Sequence, residues 1–158
     1  MKFDENCNYT VLANNADKNF LRMFSSYRIF DSKSSFEELL KSLEFCPNKQ
    51  VVFCESFYNL RNKEKVALLK QLHKQGITFI NITTNIEDSL FSDRIMVFDE
   101  NKLILEDTKE IVLKNEKILK KLGYGLPFSV DLSIQLNYYD ILKKVYYDID
   151  EMVNVLWN

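Results

Sequence analysis

Apolar positions along the chain switch repeatedly between two spacings. Tyr9–Ala13 (YTVLA), Val51–Cys54 (VVFC) and Ile77–Thr83 (ITFINIT) are short, nearly continuous apolar or β-branched runs, the pattern of strands buried on both faces. Tyr27–Phe30 is a shorter run of the same kind. Between them apolar residues recur at helical spacing: Phe20, Leu21 and Phe24; then Phe36, Leu39, Leu40 and Leu43; then Val66, Leu68, Leu69 and Leu72 within Asn62–Gln75. Ser35 and Glu38 have capping-box spacing ahead of the second helix, and Gly76 closes the third where a left-handed residue is wanted. Strand, helix and strand at this spacing predict a right-handed parallel crossover.

Further on, Glu87–Phe91 predicts a short helical segment. Arg94–Asp99 and Lys102–Glu106 flank Glu100-Asn101, which predicts an antiparallel hairpin at one edge of the sheet. Ile111, Val112, Asn115, Ile118, Leu119 and Leu122 predict one helix over Thr108–Leu122, ending at Gly123. The stretch GYGLPFSV brings two glycines and a proline together and marks a boundary. Beyond it, Ser129–Asn158 predicts two helices, one through Leu132 and Leu136, the other opened by Asp148 and Glu151 with the stripe Ile149, Met152, Val153, Leu156 and Trp157. The expected organisation is an α/β core over 1–122 and a small helical subdomain over 123–158.

Composition narrows the function. At 158 residues and 18.7 kDa, one compact core is the default. Lys and Arg number 21 against 23 Asp and Glu, so there is no basic footprint for a nucleic-acid partner. Three cysteines at unrelated spacings (Cys7, Cys46, Cys54) argue for a reducing compartment, and the single histidine, His73, excludes a His-rich metal centre. No apolar run approaches the ~20 residues of a spanning helix, and MKFDENCNYT lacks the features of a signal peptide, so the expected location is cytoplasmic. Tyr138, Tyr139, Tyr146 and Tyr147 are read as packing, since a surface that stacks single-stranded nucleic acid also needs a basic groove and the only basic residues between them are Lys143 and Lys144. Three glycines and two prolines are few for this length. Loops that cradle phosphate need glycine.

Leu68–Val112 (LLKQLHKQGITFINITTNIEDSLFSDRIMVFDENKLILEDTKEIV) resembles the second half of an ABC ATPase, and Leu119–Asn158 resembles the extra C-terminal domain of the ATP-binding subunits of energy-coupling factor (ECF) transporters. The likeness covers roughly the last two thirds of the chain and fades before Pro47. It implies a truncated, P-loop-type ABC-ATPase-like fold: a mostly parallel sheet with flanking helices, the edge hairpin, and the helical subdomain. In that family the strand matching VVFC ends in an Asp that holds Mg²⁺ and a Glu that polarises water. Here the pair is Cys54-Glu55, and a neutral thiol is no ligand for Mg²⁺. Asn59-Leu60-Arg61 stands where the family has Gly-Leu-Asp, and Thr84 where it has its switch His. Upstream, Val11–Phe24 aligns with the P-loop, with Lys18, followed by Asn19, at the lysine position, no glycine, and Asp17 setting a negative charge where phosphates would sit. Phe30-Asp31-Ser32-Lys33-Ser34 aligns with the signature motif and keeps only a serine. The 35 residues between Lys18 and Cys54 are too few for the helical arm that contacts the membrane subunit.

The resemblance therefore implies an ABC/ECF ATP-binding-subunit homologue whose chemistry is lost: Glu55 a remnant of the catalytic carboxylate, Lys18 a remnant of the P-loop lysine, and no metal or nucleotide expected. Its implied partners are a second copy or another ABC/ECF ATPase subunit, with peripheral attachment to a membrane transporter, and Phe128, Leu132, Leu156 and Trp157 as the contact. Two alternatives remain: a minimal ATPase that binds ATP and Mg²⁺ through Lys18 and Glu55, and a small cytoplasmic regulatory or scaffold protein.

Overall fold

The computed structural model describes residues 2–30, 35–44, 49–55, 57 and 59–157. In chain order the elements are β1 (Asn8–Ala13), α1 (Lys18–Leu21) running into a 3-10 turn (Arg22–Phe24), β2 (Arg28–Phe30), α2 (Phe36–Glu44), β3 (Gln50–Cys54), α3 (Asn62–Lys74) and β4 (Thr78–Thr83). A second 3-10 turn (Ile86–Phe91), β5 (Arg94–Asp99), β6 (Lys102–Thr108), α4 (Lys109–Leu113), α5 (Glu116–Lys121), α6 (Phe128–Tyr138) and α7 (Ile149–Trp157) complete the fold.

The chain is an α/β protein built on one six-stranded sheet in the order β2-β3-β4-β1-β5-β6. Every neighbouring pair is parallel except β5 and β6, which form the antiparallel edge. Because strand side chains alternate between faces, Val11, Val52 and Ile80 join one apolar layer under α1. Val51, Phe53 and Phe79 join a second layer with Leu39 of α2 and Leu68 and Leu72 of α3. Leu12, Ile95 and Val97 join a third with α4, α5 and Val130 of α6. Burial on both faces is why these strands read as continuous apolar runs.

The Ser35–Glu38 capping box forms as the spacing predicts, with Ser35 N donating to Glu38 Oε2 at 3.0 Å and Glu38 N donating to Ser35 Oγ at 3.3 Å. Gly76 takes φ 66°. Four expectations need correction. The segment 108–122 is two helices, because Asn115 turns its side chain onto the Ile111 carbonyl (2.9 Å) and restarts the helix with its own carbonyl. The buried stripe of α3 is Lys65, Leu68 and Leu72, rotated so that Val66 is exposed. On α7 only Met152 is buried, while Ile149, Val153 and Trp157 face solvent. Of the four tyrosines read as packing, Tyr146 is buried but Tyr138 and Tyr139 are exposed. Among the described residues no helix is long and apolar enough to cross a membrane.

Candidate functional site at the strand ends

The carboxyl ends of the parallel strands β1, β3, β4 and β5 lie along one edge of the sheet, where open α/β sheets bind ligands. The loop after β1 is four residues long, and its last member, Asp17, caps α1: one carboxylate oxygen accepts the N–H groups of Asn19 (2.9 Å) and Phe20 (2.8 Å). These are the amides that a phosphate at this helix start would need. Lys18 and Asn19 are exposed, and the Asn19 side-chain oxygen accepts from Arg22 at 3.3 Å. Asn14, at the start of the loop, reaches 108 residues along the chain and donates to the Leu122 carbonyl at 2.6 Å.

At the end of β3, Glu55 sits in the left-handed region (φ 57°), with its N–H donating to the Ile82 carbonyl at 3.0 Å. Burial pushes its carboxyl above the usual range, the nearby Asp88 adds to that, and the Thr84 backbone N–H offsets part of it. Two of the positions singled out from the sequence, Glu55 and Thr84, thus meet; Lys18 makes no ion pair with a described carboxylate. Cys54 is half-buried against the first apolar layer rather than fully buried. His73 is exposed on the last turn of α3. Asp31–Ser34, most of the stretch aligned with the signature motif, lies outside the described residues.

The end of β4 holds a buried polar cluster that the sequence did not point to. Lys65 Nζ pairs with Asp88 Oδ1 at 2.7 Å; Asp88 Oδ2 receives Thr83 Oγ1 at 3.2 Å and Asn81 Nδ2 at 3.4 Å. Its only sequence signal is a lysine at i−3 from the apolar stripe of α3. Beside it, Glu87 Oε1 accepts the N–H of Phe128, the first residue of α6, at 2.7 Å. A groove of about 1150 Å³ opens here between α3, the turn Ile86–Phe91 and the two last helices. Of the residues expected to form a contact surface, Phe128 and Trp157 are 61% and 82% exposed. Leu132 and Leu156 pack inward on Leu142, Tyr146 and Met152.

The fold has a likeness among solved ABC transporter proteins. A solved metal-chelate type ABC transporter in an inward-facing conformation superposes with a TM-score of 0.54 at 8% identity, over 74% of this chain and 78% of that one, a likeness of fold alone. In sequence the chain is related to ATP-binding proteins of ECF transporters. The energy-coupling factor transporter ATP-binding protein EcfA1 of Clostridium novyi is 34% identical over 96 residues, 60% of this chain and 34% of that protein. EcfA1 of Mycoplasmoides gallisepticum is 34% identical over 107 residues (66% and 35%), and the cobalt import ATP-binding protein CbiO of Syntrophus aciditrophicus 36% over 87 (53% and 31%). The chain spans about a third of the length of these relatives. No family model matches it.

Proposed function

We propose that the chain is a catalytically degenerate relative of the ECF ATP-binding subunits, acting through association with another such subunit or with a second copy of itself. The observation that carries this reading is the position of the Asp17 carboxylate. It holds two N–H groups at the start of α1 that a phosphate would otherwise take, and brings a charge of the same sign to that place. The residues do not fit Mg²⁺ with ATP: the thiol of Cys54 stands at the metal position, Glu55 faces Thr84, and the loop before Lys18 holds no glycine.

Association is supported by the apolar exposure at the end of the chain. Phe128, Val153 and Trp157 lie open on the two helices of 123–158, which we read as a separate subdomain. Exposed aromatics of this kind are enriched at interfaces. The location that suits this role is cytoplasmic, beside a membrane transporter.

The test is calorimetry with ATP, with and without Mg²⁺, alongside light scattering of the chain alone and mixed with an ECF ATP-binding subunit. The expected result is no binding heat and a complex that ignores nucleotide. Micromolar ATP binding would overturn the reading in favour of a minimal ATPase using Lys18 and Glu55. A chain that stays monomeric both alone and in the mixture would favour a regulatory or scaffold role.

A further inference from the structure

We infer that the exposed stripe of α7, with the groove beside it, is a docking surface for an amphipathic helix of a different protein that carries Lys or Arg along its polar edge. This rests on the association reading in taking 123–158 as the contact, and deepens it by choosing between a second copy and another protein.

The apolar part is laid down by helical spacing. Ile149, Val153 and Trp157 follow one another at i, i+4 and i+8 on one side of α7 and are 40%, 42% and 82% exposed, while Met152, on the side turned inward, is buried. A stripe of this kind suits the spaced apolar anchors of a second helix laid along it. Ile149 also lines the groove between α7 and α3, as does the exposed Phe128, so groove and stripe meet at Ile149.

Charge selects the partner. Three lysines line the groove, and the chain itself neutralises two of them: Lys65 pairs with Asp88 at 2.7 Å and Lys144 with Glu151 at 3.0 Å. Glu87, Asp148 and Asp150 also line it and make no ion pair among the described residues. Against them stands Lys109 alone, whose ammonium already donates to the Leu90 carbonyl at 3.2 Å. Asp150 follows Ile149 and lies three residues before Val153, so its carboxylate borders the stripe itself. A second copy does not supply the missing cations, because residues 145–158 hold no Lys or Arg. Two copies of α7 would set acid against acid if they ran parallel, and the negative end of one helix dipole against the Asp150 of the other if antiparallel. A helix with a basic edge answers both the stripe and the acids.

Trp157 is the only tryptophan of the chain, so its fluorescence reports directly on cover over the stripe. The full chain is titrated with two synthetic helical peptides of identical leucine pattern, one with lysine and one with glutamate at every polar position. The lysine peptide is expected to saturate and to move the Trp157 emission to the blue, and the glutamate peptide to do neither. Asp150→Lys should weaken the lysine peptide about tenfold, and Asp150→Asn, which is milder on the start of α7, by a smaller factor. Glu5→Lys makes the same change of charge at an exposed position before β1 and should weaken it less than about twofold. Equal losses from Asp150→Lys and Glu5→Lys would reduce the binding to net charge and overturn the inference. So would comparable binding of the glutamate peptide, or a blue shift given by phosphatidylcholine vesicles and not by the lysine peptide. A blue shift on concentrating the chain alone, with a doubled mass by light scattering, would hand the surface to a second copy: the inference then fails and the association reading stands. No shift with either peptide, together with a monomeric mass alone and beside an ECF ATP-binding subunit, would sink both.

Discussion

Lys65 and Asp88 form an ion pair of 2.7 Å with side chains only 7% and 0% exposed, joining α3 to the turn after β4. The ammonium also lies over the rings of Phe57 (5.0 Å) and Phe91 (5.3 Å), and the second carboxylate oxygen receives Thr83 and Asn81. Removing one partner leaves the other charge buried and alone, which costs about 3–5 kcal/mol. Lys65→Met is therefore expected to lower the unfolding free energy obtained from urea denaturation by an amount in that range. Combining it with Asp88→Leu should cost clearly less than the two single losses added. Additive losses would mean that the two charges do not act as a pair.

How much of this was legible follows from which interactions are local. The parallel strands announce themselves because both faces are buried, and the α2 cap because Ser35 and Glu38 are three residues apart. Lys65 escaped because a helical apolar stripe is read from apolar residues, and its inward turn is dictated by Asp88, 23 residues away. Asn115 broke a helix that periodicity alone would continue. The Asn14–Leu122 and Glu87–Phe128 hydrogen bonds each join a polar side chain to a backbone group, across 108 and 41 positions, a separation at which a single sequence carries no pairing signal. At the strand ends the negative charge of Asp17 was visible, but not that it is spent on the chain's own amides.

Asp17→Ala leaves the N–H groups of Asn19 and Phe20 without their acceptor. The expected loss is about 1 kcal/mol, measured as a shift of the denaturation midpoint. Asp17→Ser retains a capping oxygen and should lose less. Neither variant is expected to bind ATP, because α1 is a single turn and the loop before it lacks glycine. ATP binding by Asp17→Ser would show that this one carboxylate was the whole barrier.

Gly76 ends α3 with φ 66°, and the Ile77 N–H reaches back to the Leu72 carbonyl at 3.0 Å. A Cβ at this position would meet nothing within 4 Å, so the cost of Gly76→Ala is conformational and not steric. It should be about 1 kcal/mol, and smaller for Gly76→Asn, whose side chain tolerates the left-handed region. Thermal unfolding of the two variants gives the order directly. Equal stability of Ala and Gly here would mean that the helix end relaxes to another closure.

Glu55 gives the clearest dependence on pH. Burial and the neighbouring Asp88 raise its carboxyl above the ordinary value, so the folded chain holds that proton more tightly than the unfolded chain does. The ionised form therefore opposes folding. Its contribution to stability is most favourable below the ordinary carboxylate range and is lost as pH rises through the interval up to the raised value, above which the penalty is constant. Glu55→Gln keeps an acceptor facing the Thr84 N–H and carries no charge. Its melting temperature should exceed that of the parent chain at neutral pH, with the difference shrinking on acidification and vanishing below the ordinary carboxylate range. The left-handed backbone at this position is common to both chains and cancels in the comparison. A difference that stays constant across the whole pH range would show that the carboxyl titrates as it does in the unfolded chain.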